Sequence, residues 1–141
     1  MIRIVLDANV LISGLISKKG IPGKIVDAWL KDKLQLFVSP QIVKEITRVL
    51  KYPRIATRLE AGDADLLVKN LGSLAEWVKG NLVLDVLTRD PSDNAYLACA
   101  VEAECEYLVT GNREHFNEAG AEFKGVKIVS PSEFLNILMS E

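Results

Sequence analysis

"IRIVLDANVLISGLIS", residues 2–17, is the stretch on which the fold turns. Its first five residues are apolar apart from Arg3 and mostly β-branched, without the alternation of a half-solvated strand, so they predict a strand buried on both faces. Asp7 closes that strand and opens a second apolar segment, "VLISGLI", in which a helix is expected from near Ala8. A strand covered on both faces needs helices on both sides of its sheet, which is the arrangement of an α/β protein.

The same pattern recurs along the chain. Strand-like runs are predicted at 2–6, 34–38 ("LQLFV"), 82–87 ("LVLDVL"), 106–110 ("EYLVT") and 126–130 ("VKIVS"). Between them, residues 22–32, 40–51, 63–79, 92–104 and 131–139 carry apolar side chains at three and four spacing, and Gly80 is placed to stop the longest of these helices. Alternation of this kind predicts a mainly parallel sheet of four or five strands with helices on both faces, built as one domain over residues 1–141. A length of 141 residues with 49% apolar content is enough for a single filled core.

Composition excludes several classes. No uncharged run approaches the roughly 20 residues of a membrane span, and the first apolar run is interrupted by Arg3 and Asp7 with no basic leader, so a soluble, cytoplasmic protein is expected. Cys99 and Cys105 have no second pair with which to build a zinc site and are expected to be reduced packing residues. The net charge of −2 gives no overall attraction for polyanions, so any nucleic acid must be held by a local patch. The single histidine, His115, leaves no Ser/His/Asp set and is expected to be structural or exposed.

In open parallel sheets the ligand crevice lies beyond the carboxyl ends of the strands. There stand Asp7-Ala8-Asn9 after the first strand and Thr110-Gly111-Asn112 after the fourth. Asp7 is either the cap of the following helix or a metal ligand, and the cost of leaving a poorly solvated carboxylate unpaired favours the ligand. On the helix after Pro40, at about 100° per residue, Ile42, Val43, Ile46, Val49 and Leu50 form one face and Lys44, Arg48 and Lys51 the opposite one. Glu45 falls on the seam, where it points into a cleft or pairs with Lys44 or Arg48 on the surface. In "RDPSDN", 89–94, Pro91 suits a first helical position and Asp90 suits the cap before it. Asp93 is less well explained as a cap, and the amides of that first turn would keep it ionised, as a metal ligand requires.

Asp7, Glu45, Asp93 and the amide of Asn112 are therefore expected to converge. Like charges about 4 Å apart repel by roughly 4 kcal/mol per pair at an effective dielectric near 20, so such a cluster calls for a cation. Oxygen-only donors favour Mg2+ or Mn2+ over zinc, and the matching chemistry is phosphodiester hydrolysis.

"IRIVLDANVLISGLIS", "SPQIVKEITRVL", "RDPSDNAYLACAVEAECEYLVTGNREHF" and "GVKIVSPSEFL", taken in order, resemble the PIN domain family, and in particular the small prokaryotic PIN proteins related to toxins of toxin–antitoxin pairs. The resemblance spans essentially the whole chain. It implies a three-layer α/β/α fold and a metal-dependent endoribonuclease in which the family's acidic residues match Asp7, Glu45 and Asp93. It also implies that Asn9 and Thr110 are polar supports of the acidic cluster, that the chain forms a homodimer, and that an antitoxin protein blocks the site. The sequence departs from the family pattern at one place: Asn112 stands where a fourth acid is common. One negative charge fewer should lower metal affinity, which predicts a single-metal, Mn2+-preferring and slow enzyme.

The stretch from 41 to 60 holds Lys44, Arg48, Lys51, Arg54 and Arg58 against Glu45 and Glu60. This local basic excess beside Glu45 is the expected RNA grip, with Lys18, Lys19 and Lys24 a second candidate and Tyr52 a stacking one. A phosphorelay receiver would need a lysine after the fifth strand, and a haloacid-type phosphatase an Asp where Asn9 stands. The competing reading is a catalytically silent PIN domain that binds RNA or a protein.

Overall fold

The computed structural model describes residues 1–84, 91–112, 116 and 121–141, of which Pro91 and Ser92 are described in backbone only. Four strands form the body of the sheet: β1 (Arg3–Leu6), β2 (Gln35–Val38), β4 (Tyr107–Val109) and β6 (Val126–Val129). Two short edge strands, β3 (Glu76–Trp77) and β5 (Glu122–Phe123), bring the total to six, in the order β3-β2-β1-β4-β6-β5. All pairings are parallel except β5 with β6. The Lys124-Gly125 loop between those two strands has positive φ at both residues, 49° and 86°, as a tight hairpin requires.

The helices are α1 (Ala8–Ile16), α2 (Ile21–Leu30), α3 (Pro40–Val49), α4 (Pro53–Ala56), α5 (Asp63–Ser73), α6 (Pro91–Glu102) and α7 (Pro131–Met139). Successive residues of a strand point to opposite faces, and Ile4, Val5 and Leu6 are all at most 1% exposed. Both faces of the sheet are therefore covered, giving the three layers α/β/α around one hydrophobic cluster. No helix among the described residues is long and apolar enough to cross a membrane.

Two sequence expectations need correction. The helix expected over 63–79 ends at Ser73, and the chain then adds Glu76–Trp77 to the edge of the sheet, opposite Phe37 and Val38. The Trp77 indole donates to the carbonyl of Leu71, 2.9 Å away, and so satisfies one of the acceptors that a helix end leaves open. Gly80, with φ 77°, lies beyond that strand rather than at a helix end. The strand expected over 82–87 is absent from 82–84, where the backbone is irregular, and 85–87 lie outside the described residues. Asp90 and His115 also lie outside them. Cys99 and Cys105 are free and buried; burial pushes the Cys105 thiol up to about 12 and the Cys99 thiol higher still, as suits packing residues.

The sheet order positions the site. The chain runs outward from β1 through β2 to β3, then returns to place β4 on the other flank of β1. The carboxyl ends of β1 and β4 thus border the switch point, where ligands of open α/β sheets bind.

Candidate active site

Asp7 ends β1 and caps α1. Its Oδ1 accepts from the Val10 amide at 2.9 Å, and its Oδ2 accepts a very short hydrogen bond from the Thr110 hydroxyl at the end of β4. Asp7 is thus the cap of α1, and these contacts leave lone pairs on both of its oxygens. Asp7 is 5% exposed, and burial raises its pKa above the ordinary carboxylate value; the Thr110 and Val10 hydrogen bonds act in the opposite sense. Thr110 is fully buried and also accepts from the Asn112 amide at 3.0 Å, which ties the turn after β4 to the same carboxylate.

α3 begins at the Ser39 cap, whose hydroxyl accepts from the Ile42 amide. Ile42 and Ile46 are buried, Lys44 and Arg48 are exposed, and Glu45 is half-buried between them. The ion pairs among the described residues are Lys18–Asp63 and Lys31–Asp27, so the surface pairing of Glu45 does not occur. Its Oε1 instead accepts from the Tyr96 hydroxyl at 3.1 Å. Tyr96 is 1% exposed on α6, and burial, followed by the charge of Glu45, keeps its phenol protonated far above its usual range.

Asp7, Asn9, Glu45, Asp93 and Asn112 line one pocket of about 320 Å3, together with Arg48, Tyr52, Arg54 and Tyr96. Size alone does not single it out. A hollow of about 660 Å3 beside α2, α7 and the chain's first residues is larger and also has three acids, Asp27, Glu106 and Glu141, but Ile2 and Glu106 place it at the amino ends of β1 and β4, away from the crevice at their carboxyl ends. Arg48 and Arg54 stand over the Tyr52 ring, 5.6 and 5.9 Å from its centre, and Arg48 also donates to the Tyr52 hydroxyl. Lys44 and Lys51 lie in an adjoining groove that shares Arg48 and Tyr52 with the pocket. The other basic candidates are elsewhere: Lys18 pairs with Asp63 at 3.7 Å, and Lys18 and Lys24 border a cavity between α2 and α5.

Every donor offered by Asp7, Glu45, Asp93 and Asn112 is an oxygen, the set preferred by a hard divalent cation. No three acidic, histidine or cysteine side chains among the described residues form a ready-made metal cage. Holding an ion there would take further oxygens from water or a phosphate, which a Mg2+ site commonly has. Tyr96 escaped the sequence reading, whereas Tyr52, expected as a stacking residue beside the basic stretch, stands in the pocket wall. Tyr96 had a signal, for it stands three residues after Asp93 on the same helix face and a buried phenol needs a polar partner.

A sequence model of the PIN domain matches residues 3–114. An uncharacterized protein of Methanocaldococcus jannaschii is 34% identical over 116 residues, which make up 80% of this chain and 72% of that protein. The crystal structure of PAE2754 from Pyrobaculum aerophilum shares the fold with a TM-score of 0.58 at 19% identity, over 99% of this chain and 91% of that one.

Proposed function

The chain belongs to the PIN domain family, a nuclease-type family, and from that premise we propose that it is a metal-dependent endoribonuclease that hydrolyses RNA phosphodiester bonds, acting as the toxin of a toxin–antitoxin pair. The observation that carries the catalytic part is the meeting of Asp7, Glu45, Asp93 and Asn112, from the ends of two strands and from two helices, in one pocket rimmed by Arg48 and Arg54. The toxin role, the antitoxin and the homodimer rest on the sequence resemblance.

Asp7, Glu45, Asp93 and Asn112 would hold Mg2+ or Mn2+. When bound, the ion supplies charge stabilisation at the scissile phosphate and a more acidic water. The rest of the work belongs to the chain's own groups. Thr110 and the first turn of α1 fix the Asp7 carboxylate, while Tyr96 fixes one oxygen of Glu45. Asp93 sits in the first turn of α6, where the helix dipole favours a negative charge. Arg48 and Arg54, braced against Tyr52, grip the phosphates flanking the cleaved bond, and Lys44 and Lys51 continue that grip along α3.

A second reading, an RNA- or protein-binding module without cleavage, is favoured by Asn112 in place of an acid. The test of both is incubation of purified protein with RNA and Mn2+ or Mg2+, beside EDTA and Asp7→Asn controls. Cleavage lost in both controls supports the enzyme; RNA binding without cleavage supports the module; cleavage that persists in Asp7→Asn sinks the assignment of the pocket. Asn112→Asp should raise both Mn2+ affinity and cleavage rate.

A further inference from the structure

We propose that Tyr96 is a positioning residue of this site, whose hydroxyl holds the Glu45 carboxylate of α3 toward the pocket that Asp93 enters from α6; the proposal rests on the nuclease reading above. The bond links two helices that reach the pocket from different parts of the chain, its partners 51 positions apart in sequence. Glu45 is half-buried on an otherwise wet seam and makes no ion pair among the described residues, so without that bond its flexible side chain has several rotamers open to it. Tyr96 itself is 1% exposed and cannot swing away. It lies one turn after Asp93 on α6, so a single helix face delivers one acid and fixes another. Because the phenol donates to Oε1, that bond leaves Oε2 for a cation or a water.

The distinguishing measurement is Mn2+ affinity by calorimetry, which does not depend on turnover. Tyr96→Phe keeps the ring and its packing and removes the donor. It should weaken Mn2+ binding by about 10- to 100-fold, the range for removing the support of a metal ligand. Phe134→Leu, a core change in α7 remote from the pocket, should lower the unfolding temperature and leave Mn2+ affinity unchanged. Wild-type affinity in Tyr96→Phe, or an equal loss in Phe134→Leu, overturns the proposal. Absence of Mn2+ binding by the wild-type chain overturns both this proposal and the nuclease reading. If Tyr96→Phe does not fold, Mg2+ titration of the wild-type chain decides by NMR: the Tyr96 ring signals must shift as the ion binds, and unmoved signals with the ion bound overturn the proposal.

Discussion

Asp7 carries two demands that oppose each other. As the cap of α1 and the partner of Thr110 it serves the fold with both oxygens, yet its burial disfavours the ionised form that a cation needs. Because its folded pKa lies above the unfolded value of 3.8, the folded chain binds the extra proton in the window between the two. Stability from this group is therefore complete below the unfolded pKa and is lost as pH rises through the folded one. Without divalent ions, Asp7→Asn should unfold at a higher temperature than wild type at neutral pH, and the gap should close toward about pH 4. Thermal scans across pH in EDTA check this, and a variant less stable than wild type at neutral pH would count against a dominant burial cost. Mn2+ should raise the wild-type unfolding temperature more than that of the variant. The position of Asp7 at a strand end was legible in "IRIVLDAN"; Thr110 as a support of the acids came from the family resemblance alone, because a pairing across 103 residues leaves no local trace.

Among the elements, helix packing and strand pairing compete most visibly at two glycines. Gly23 lies in α2 where the α1–α2 turn closes upon it, and a Cβ there would overlap the Lys18 carbonyl, which is backbone and cannot step aside. Gly23→Ala should cost about 1–3 kcal/mol or more. Gly72, exposed near the end of α5, has no atom within 4 Å of an added Cβ, so Gly72→Ala should stabilise by about 0.5–1 kcal/mol. Denaturant unfolding of the two variants should therefore give changes of opposite sign; stabilisation by both would show that helix propensity, not packing, rules both positions. Gly72 also bears on why α5 was overestimated from sequence. The spacing of Leu67, Leu71, Leu74 and Val78 continues a helical face, but Gly72-Ser73 weakens the helix just where the β2 edge offers Trp77 and its neighbours hydrogen bonds. The four main strands were legible because their runs are apolar and nearly all buried, Lys127 of β6 being the exposed exception. The two-residue edge strands were not, because pairing rather than composition makes them.

At the scale of the molecule, a net charge of −2 means that any grip on RNA is a matter of where the cations sit. The sheet order separates two basic regions: α3 follows β2 on one flank of β1, whereas Lys124 and Lys127 belong to the β5–β6 hairpin on the other. Arg48 and Lys51 lie in or beside the acid-lined pocket, and their place along "IVKEITRVLKY" was readable from the wheel, since opposite faces of one helix separate core from cations. Arg48→Glu with Lys51→Glu and Lys124→Glu with Lys127→Glu change the net charge by the same amount. If the long-range field governed binding, both pairs would weaken it alike. If local phosphate pairing governs it, only the α3 pair should, and the slope of log affinity against log salt should become shallower by about 0.7 for each phosphate of a single strand that is no longer neutralised. Binding of a short RNA to the two variants across a salt series, in EDTA to prevent cleavage, separates these outcomes. An equal loss in both would remove α3 from the substrate path.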